Sequence, residues 1–340
     1  MPKKTFAVTV TYDDRFHLLK QVIEAALREG VDKVIVVDNN SEPNSREKLK
    51  KYHRKNPEKI DVLYLSENFG SAGGFKRGLK KAYNDPECEF IWLLDDDNKP
   101  QPGALQLLKE YWKKYETREK DIRLALASYR ECRGNYAEIE ALMSKDPEIV
   151  LGKKNNFYHF HIAEIPKYMK RIIRRKIVGE SRLAPPGPGQ IAATLYGGLF
   201  FHKKLLEVIG YPLEDFYIYE DDIEWTYRIT KNRGKIILIP DSIITDIDRS
   251  WYITDEKETA LTTFSPSNTF RIYYTIRNGF YFRMRHRVDN KFIYYFNCLT
   301  LLFLILLYTI IFFRDLSPFK TVITAIRDAR GNKLGKIERL

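Results

Sequence analysis

The chain has 340 residues, which is long enough to bury a substantial core and argues against a peptide-sized scaffold. Its 57 Lys and Arg residues against 45 Asp and Glu give a formal charge of +12, which predicts an anionic partner such as a nucleotide, a nucleic acid or an anionic membrane. The three cysteines are widely separated and form no C-x-x-C pair, which argues against a disulfide framework or a structural zinc site and favours a reducing cytoplasm.

The first third of the sequence alternates between strand and helix patterns. The segments 5–12, 33–41 and 60–68 are typical of strands, and 15–30 and 73–84 are typical of helices. This alternation predicts parallel strands joined by right-handed crossovers, with ligands at the carboxyl ends of the strands. The first residues lack the apolar run and cleavage site of a signal peptide, so we expect the catalytic part to stay in the cytoplasm.

A glycine-rich turn, ENFGSAGGFKRG at 67–78, precedes the second of these helices. Glycines let the backbone approach a ligand closely, and the start of a helix offers free N–H groups to an anion. Lys76 and Arg77 add positive charge. The turn matches neither a dinucleotide-binding fingerprint nor a Walker A loop, so by itself it is also compatible with simple loop geometry.

Three consecutive aspartates, Asp95, Asp96 and Asp97, end the apolar strand pattern FIWLL. Crowded carboxylates repel one another unless a cation or hydrogen-bond donors compensate them. Mg²⁺ and Mn²⁺ prefer oxygen ligands and can bridge carboxylates to a diphosphate. The pattern therefore indicates a divalent-metal site, with a solvated acidic loop as the alternative.

The middle of the chain contains a basic insertion, 129–189, that breaks the strand and helix rhythm. Its segment 164–179 mixes lysines and arginines with apolar residues, as in a helix that lies on an anionic bilayer. Nucleic acid is the competing partner for such a patch, but no nucleic-acid-binding module accompanies it. We therefore expect contact with a membrane or an acceptor, and no nucleic acid.

The segment FYIYEDDIEWTYRI, 216–229, is predicted to begin a helix with acidic residues in its first turn. Carboxylates can act as a general base, and Asp221 and Asp222 are the candidates for one in this segment. The alternative is an amphipathic helix with an acidic start, and Trp225 is either a core residue or a platform for a sugar.

Residues 292–313 form an uncharged apolar segment about as long as a bilayer-spanning helix. Basic residues flank it on both sides. It is predicted to span the membrane, to lie in the interface, or to be a buried core helix. On either membrane interpretation, we expect the first 290 residues to lie on the cytoplasmic face of the cell membrane.

Six motifs in order resemble the family 2 glycosyltransferases, inverting enzymes with the GT-A fold. They are TVTY (9–12), VVDNNS (36–41), NFGSAGG (68–74), LLDDDNKPQPGAL (93–105), YGGLFF (196–201) and YEDDIEWTYRI (219–229). The resemblance covers about residues 5–280. YYTIRNGFYF (273–282) and AIRDARGNKLGK (325–336) are similar to the rhamnosyltransferase and galactofuranosyltransferase branch.

The resemblance implies an α/β fold of the GT-A type, with a Rossmann-like, mostly parallel sheet, and a role for each matching residue in binding the donor, a nucleotide-diphosphate sugar. Thr9 and Tyr12 would lie beside the base, and Asp38 would bind base or ribose. Arg277 and Asn278 would reach the phosphates. The remaining residues implied for donor binding are Asn39, Asn68, Gly70, Ala72, Gly73, Lys76, Asp95 and Asp96.

The resemblance also implies the metal ligands and the catalytic base. Asp97 would bind Mn²⁺ or Mg²⁺, with Asp95 beside it, and Asp246 stands where related enzymes commonly have a metal-binding histidine. Asp222 would be the base, with Asp221 as its rival. Glu224 and Trp225 would contact the acceptor.

These inferences predict a glycosyltransferase with four regions: residues 1–128 for nucleotide-sugar binding, 129–189 as the basic insertion, 190–285 for acceptor binding and catalysis, and 286–340 as the hydrophobic helix and basic tail. We expect transfer of rhamnose or galactofuranose to a lipid-linked or cell-surface glycan. A tethered nucleotide-sugar-binding protein without activity and a processive polysaccharide synthase are the alternatives, although the synthase motif Q-x-x-R-W is absent.

Overall fold

The structure, a computed structural model, describes residues 4–130, 136–167, 169–170, 186–248 and 261–337. The chain divides into two compact units. The sheet unit consists of Met1–Val150, Pro186–Tyr217 and Asp221–Ile253. The helical unit consists of Leu151–Pro185, Ile218–Glu220 and Thr254–Leu340.

The first half of the sheet unit is built from parallel strands with helical crossovers, as the sequence predicts. Strands β1 to β4 pair in the order β3-β2-β1-β4, all parallel. These strands are β1 (Lys4–Thr11), β2 (Lys33–Asp38), β3 (Ile60–Tyr64) and β4 (Cys88–Asp95), and the helices between them are α1 (Phe16–Arg28), α2 (Pro43–Lys55) and α3 (Gly70–Asn84).

The second half of the sheet unit mixes strand directions. Strand β8 runs antiparallel to both β4 and β6, while β9 runs parallel to β6. Within the described residues, nine strands form one sheet in the order β3-β2-β1-β4-β8-β6-β9-β5, and β7 pairs with β9. The elements are β5 (Asn98–Pro100), α4 (Ala104–Lys114), α5 (Lys120–Arg123), β6 (Leu124–Arg130), α6 (Tyr136–Ser144), β7 (Gly189–Ile191), β8 (Leu199–His202), α7 (Leu205–Ile209), α8 (Asp221–Lys231) and β9 (Lys235–Asp246).

Apolar residues cover both faces of the sheet, which explains the continuous apolar runs of β2 and β4. Glycines let α3 lie close to β1: a Cβ at Gly74 would lie 2.5 Å from Val10 Cγ1, and one at Gly78 would lie 2.5 Å from Val8 Cγ1. The glycines at these two positions therefore serve helix-to-sheet packing.

The long helices among the described residues of the helical unit are α9 (Thr269–His286), α10 (Lys291–Tyr308) and α11 (Ser317–Arg330). A π-helical turn, Thr309–Phe313, continues α10. By length and composition, Lys291–Phe313 is the one stretch among the described residues that could cross a membrane.

Part of the basic insertion lies outside the described residues. Of the basic side chains predicted for its amphipathic helix, Arg171, Arg174, Arg175 and Lys176 belong to this undescribed part.

Candidate active site

The polar residues at the carboxyl ends of three neighbouring strands are brought together by the register of the sheet. In β1, Thr11 pairs with Asp38 of β2, and Val10 pairs with Asp95 of β4. Asp96 and Asp97 continue β4 beyond the sheet. The carboxyl edge of the sheet is therefore acidic, as expected for a ligand-binding edge of an α/β sheet.

Asp96, the central aspartate of the triplet, is buried and held by the strand next to it. Its Oδ2 accepts a hydrogen bond from the Thr11 hydroxyl at 2.8 Å, and Arg15 Nε donates to both of its oxygens at 3.0 and 3.1 Å. The same guanidinium reaches Asp97 at 3.3 Å and Asp248 at 2.9 Å. Arg15 thus ties the triplet to the start of α1.

A second arginine, Arg130 at the end of β6, holds two further carboxylates. Its Nη1 donates to Asp95 Oδ2 at 3.0 Å, and its Nη2 donates to Asp246 Oδ1 at 2.6 Å. Asn98 also donates to Asp246 Oδ1, at 2.8 Å. Arg130 is buried, and although burial opposes its charge, Asp95 and Asp246 raise its pKa.

The pKa of Asp97 is raised to about 7, first by burial and then by the charges of Asp95, Asp96 and Asp246, which Arg130 offsets only in part. Burial also raises the pKa of Asp96, although Arg15 and Thr11 lower it. An excess of negative charge at one carboxylate is what a bound cation would relieve.

The described residues contain no group of three or more His, Cys, Asp and Glu side chains already arranged around a metal position. The carboxylates of the cluster are turned toward arginines and Asn98 instead. The carboxylate oxygens and the raised pKa of Asp97 nevertheless fit a hard divalent cation.

Asp38 and Asn39, at the end of β2, make hydrogen bonds at the carboxyl edge of the sheet. Asp38 is buried and accepts hydrogen bonds from Ser41 N at 2.8 Å and Arg46 Nε at 2.6 Å. Asn39 donates to Asn68 Oδ1 at 3.0 Å and accepts from Phe69 N at 2.9 Å. These hydrogen bonds of Asn39 therefore hold the glycine-rich turn at the end of β2.

The start of α3 makes close backbone contacts. Gly70 has φ +71°, and a Cβ there would lie 2.0 Å from the Tyr217 carbonyl oxygen. Ala72 N donates to that same oxygen at 3.2 Å, and Gly70 N donates to Asn68 Oδ1 at 2.8 Å. These two N–H groups are therefore used by the chain itself, which corrects the expectation that the first turn offers only free donors. Gly73 lies in the next turn position, where a Cβ would lie 2.6 Å from Phe69 Cβ.

Lys76, predicted to add positive charge for a phosphate, forms an ion pair within the sheet unit. Its Nζ lies 2.9 Å from Glu214 Oε2, and Arg77 donates to the other oxygen of Glu214 at 2.6 Å. Glu214 therefore neutralises part of the positive charge that Lys76 and Arg77 bring to the glycine-rich turn.

Asp221 begins α8 and is buried against the start of α3. The Ser71 hydroxyl donates to its Oδ2 at 2.8 Å. Within the described residues the buried Tyr196 hydroxyl has no hydrogen-bond partner by geometry, yet it lies near enough to lower the pKa of Asp221. The net pKa of Asp221 is raised to about 6, because burial, with the charge of Asp95, outweighs the hydrogen bonds from Ser71 and Tyr196.

Asp222 is only partly buried, unlike Asp221. Its Oδ1 accepts a hydrogen bond from Ile223 N at 2.7 Å. Burial is the main cause of the raised pKa of Tyr196, and the charges of Asp221 and Asp222 raise it further. The three side chains therefore lie close together. The side chain of Asp222 is thus the more accessible carboxylate of the pair.

Glu224 and Trp225 are both buried. Glu224 pairs with Arg228, whose Nε lies 2.9 Å from Glu224 Oε1. Trp225 packs in the core beside Phe201 and donates from Nε1 to Gly210 O at 3.0 Å. This places Trp225 in the core, the first of the two interpretations of this residue.

Arg277 and Asn278 belong to the helical unit, where both are buried in α9. Arg277 donates to Gly335 O at 2.6 Å. Asn278 donates to Ile218 O at 3.0 Å and to Tyr219 O at 2.9 Å. Tyr219 and the residue after it, Glu220, have φ of +64° and +62°, so Asn278 supports a backbone segment that non-glycine residues rarely adopt.

Thr9 and Tyr12 differ in exposure. Thr9 lies within β1 and is buried, and its hydroxyl has no hydrogen-bond partner in the described part of the chain. Tyr12 is exposed at the end of β1, with the Arg15 guanidinium 5.4 Å from the centre of its ring.

The sequence reasoning missed the residues that hold the acidic ones. Asn98, Ser71 and Tyr196 lie inside quoted motifs but were given no role, and Arg15 and Arg130 lie in no motif. Arg15 and Arg130 share one signal, because each is a basic residue at or just after the carboxyl end of a strand, β1 or β6. Once the sheet order is known, basic residues at these positions are predicted to form ion pairs with the aspartates of the triplet.

Comparison with known proteins shows what this chain is similar to. Residues 6–161 match the family model of glycosyl transferase family 2. The dTDP-rhamnosyl transferase RfbF of Shigella flexneri is 25% identical over 290 residues, which cover 85% of this chain and 82% of that protein.

Two solved structures share the fold, each with a TM-score of 0.50. GalNAc-T7 with UDP, GalNAc and Mn²⁺ is 12% identical and covers 82% of this chain, which spans about half, 49%, of that chain. The mannosyltransferase PcManGT from Pyrobaculum calidifontis, in complex with GDP-Man and Mn²⁺, is 14% identical over 98% of this chain and 76% of that chain. The predicted GT-A-type α/β fold and the resemblance to family 2 are confirmed.

Proposed function

The chain is a glycosyltransferase with a family 2 domain over residues 6–161, and from this premise we propose that it moves a sugar from a nucleotide-diphosphate donor to a glycan hydroxyl, with inversion at the sugar carbon. We assign donor binding to residues 1–128 and acceptor binding and catalysis to 190–285. The basic insertion 129–189 is assigned to acceptor or membrane contact.

One observation carries the proposal: the acidic start of α8 lies against the glycine-rich turn, and the same turn is bonded to the end of β2. The Ser71 hydroxyl donates to Asp221 Oδ2 at 2.8 Å, and Asn39 Nδ2 donates to Gly70 O at 2.9 Å. Besides burial, the charge of Asp95 in the triplet also raises the pKa of Asp221. A transferase needs this arrangement, because the leaving diphosphate and the attacking hydroxyl must meet at one carbon.

For the donor, we favour dTDP-rhamnose, with UDP-galactofuranose as the second choice. The relative in Shigella flexneri is a dTDP-rhamnosyl transferase, which supports rhamnose. The end of β1, the end of β2 and the glycine-rich turn would hold the nucleotide and the sugar. The residues of the sheet unit assigned to this role are Thr9, Tyr12, Asp38, Asn39, Asn68, Gly70, Ala72, Gly73, Lys76, Asp95 and Asp96.

Mn²⁺ or Mg²⁺ would bind at Asp97, with Asp95 as the second ligand. The raised pKa of Asp97 supports this choice, because a cation at that carboxylate removes its repulsion with Asp95, Asp96 and Asp246. Asp246 would have to exchange contacts with Arg130 and Asn98 before it could bind metal. When bound, the metal neutralises the charge of the departing nucleoside diphosphate.

Asp222 would serve as the base, since it is the more accessible of the two aspartates at the start of α8. The acceptor oxygen forms a bond to the sugar carbon as the bond from that carbon to the diphosphate breaks. The hydroxyl proton passes to an Asp222 carboxylate oxygen. Asp221, fixed by Ser71, would position the acceptor side of the site, and Glu224 and Trp225 would support α8 from the core.

We place the enzyme at the cytoplasmic face of the cell membrane, acting on a lipid-linked or cell-surface glycan. The apolar segment 291–313 supports this location by its length and composition. The sugar acceptor would then reach the enzyme from the membrane surface.

The test is a panel of sugar nucleotides with the purified full chain, in which the released nucleoside diphosphate is measured. We expect release with one donor, in the presence of Mn²⁺ and acceptor. Asp222→Asn should lower kcat at least about 100-fold, because general-base catalysis contributes roughly that much. Its dissociation constant for the donor, measured by calorimetry, should stay within about threefold of the wild-type value.

Asp241→Asn is the matched control, because Asp241 is an exposed aspartate of the same unit and the chemical change is identical. It should keep wild-type activity. If Asp222→Asn transferred sugar at the wild-type rate, Asp222 would not be the base. If no donor were bound at all, the transferase proposal itself would fail.

A further inference from the structure

The helical unit presents an apolar face that none of its described residues covers. Helix α10 and the π-helical turn after it expose large apolar side chains at intervals of three or four residues, so these side chains share one helix face. Phe292 is 80% exposed and Phe303 is 59% exposed. We name this face the apolar stripe; it consists of Phe292, Phe296, Leu299, Phe303, Leu307 and Ile310.

The opposite face of α10 is fixed to the helical unit along its length. Tyr294, Cys298, Leu301 and Ile305 are buried. The ring of Tyr294 lies 5.7 Å from that of Phe280 in α9. The helix therefore has one side packed on protein and one side exposed, which differs from an isolated spanning helix.

Polar contacts hold the first half of α10 beside a charged loop. Asn297 donates to Asn155 O at 2.9 Å and accepts from Ile162 N at 3.0 Å. Asn155 in turn binds Asp289 at 2.7 Å, and its N–H donates to Arg287 O at 3.0 Å. A spanning orientation would carry these groups into the hydrocarbon, where a single charged side chain costs about 2.5–3.5 kcal/mol on insertion scales.

Basic residues flank the apolar stripe at both ends. Lys291 precedes it, and Arg314 and Lys320 follow it, all three exposed. Lysine and arginine at the ends of an apolar helix face complement the negative surface of an anionic bilayer. The same charges disfavour a second copy of this chain as the occupant, because parallel pairing would bring Lys291 to Lys291 and antiparallel pairing would bring Lys291 to Arg314.

We propose that α10 lies in the plane of an anionic phospholipid bilayer, with the apolar stripe in the acyl boundary and Lys291, Arg314 and Lys320 at the headgroups. The chain is then anchored to one leaflet and does not cross the membrane. This inference rests on the helical unit and not on the identity of the sugar donor, so each can fail separately.

The first experiment is co-sedimentation of the full chain with phosphatidylcholine vesicles that contain or lack phosphatidylglycerol. We expect binding to the anionic vesicles that weakens with salt. The double variant Phe296→Glu, Phe303→Glu should reduce binding at least tenfold. The matched control is Met143→Glu, Val208→Glu, which adds the same charge at exposed apolar residues of the sheet unit and should bind like the wild type.

The melting temperature of each variant, measured alongside, separates loss of binding from loss of folding. Equal binding to neutral and anionic vesicles would overturn the headgroup contacts. Absence of vesicle binding together with dimerisation in analytical ultracentrifugation would overturn the bilayer as the occupant of the apolar stripe.

The second experiment distinguishes lying in the plane from spanning. Nitroxide labels are placed by Phe292→Cys, Phe303→Cys and Ile310→Cys in a Cys132→Ser background, in which the remaining Cys88 and Cys298 are buried. Because the three labels share one helix face, a helix in the plane gives them the same depth in the bilayer. A label at 303 near the bilayer centre, with 292 and 310 at opposite interfaces, would establish spanning and refute the proposal.

Discussion

At the scale of single residues, the site is organised by two arginines that distribute five carboxylates between them. Arg15 contacts Asp96, Asp97 and Asp248, and Arg130 contacts Asp95 and Asp246. A guanidinium can hold two carboxylates at once because its donors are fixed in one plane. Burial nevertheless raises the pKa of Asp96 and that of Asp97, the latter to about 7, so the arginines leave negative charge at the triplet that a cation would relieve.

The pKa of Asp97 predicts how Mn²⁺ binding depends on pH. A metal ligand must be deprotonated, and with a pKa of about 7 the carboxyl of Asp97 is protonated at pH 5.5 and largely ionised at pH 8. Titration calorimetry should therefore show Mn²⁺ binding roughly 10- to 30-fold tighter at pH 8 than at pH 5.5. Asp97→Asn should remove this pH dependence and Asp241→Asn should keep it. Equal affinity of the wild type at both pH values would exclude Asp97 as the ligand.

The pKa of Asp221 predicts how stability depends on pH. Folding raises this pKa from 3.8 to about 6, so the folded state prefers the protonated acid. Burying the ionised form lowers the free energy of unfolding. This loss is small at pH 4, grows between pH 4 and pH 6, and is complete above about pH 6. Asp221→Asn, which removes this charge, should raise the free energy of unfolding by about 2 kcal/mol more at pH 8 than at pH 4.

Urea denaturation at the two pH values measures this difference, and Asp241→Asn, at an exposed position, should show none. A stabilisation that is the same at both pH values would mean that the gain does not come from the charge of Asp221.

At the scale of elements, the start of α3 connects the residues proposed to bind the donor with those proposed for catalysis. Its first residue, Gly70, approaches the backbone of Tyr217, and Ser71 bonds Asp221 at the start of α8. Farther along α3, Gly74 and Gly78 bring the helix onto β1. A glycine-rich sequence that resembles a ligand loop thus also serves to pack α3 against its neighbours.

Substitution of Gly70 tests this close approach. Gly70→Ala combines a positive φ with a Cβ 2.0 Å from a carbonyl oxygen, so we expect a loss of about 3 kcal/mol of unfolding free energy. Gly103→Ala is the control, since Gly103 has φ +86° and nothing within 4 Å of an added Cβ. It should lose only about 1 kcal/mol. Similar losses in chemical denaturation would show that φ alone, and not the contact with Tyr217, makes glycine necessary.

At the scale of the whole molecule, the chain combines a sheet unit that holds the acidic cluster with a helical unit that holds the apolar stripe. Each unit has its own buried residues, such as Leu19 in the first and Tyr294 in the second. The proposed chemistry and the proposed membrane contact therefore rest on different parts of the chain.

This division predicts that thermal unfolding departs from a single two-state transition. Leu19→Ala should lower the melting temperature of the sheet unit, and Tyr294→Ala should lower that of the helical unit. Each corresponds to a loss of about 2–5 kcal/mol of unfolding free energy, as for other large-to-small core substitutions. A nucleoside diphosphate with Mn²⁺ should raise the sheet-unit transition by mass action. Scanning calorimetry measures all three. A single transition that both variants shift equally would show that the units unfold together.

The sequence by itself determined the parallel β1 to β4 arrangement, the GT-A-type fold, the acidic edge and the apolar segment. These depend on local periodicity and on short motifs, which the chain order preserves. Only the tertiary structure decided that Arg15 and Arg130 hold the acidic residues, that Asp221 is buried against Ser71, and that Trp225 lies in the core. These contacts join residues that are distant in sequence, and an arginine or a serine at a strand or helix end carries no pattern that names its partner before the sheet order is known.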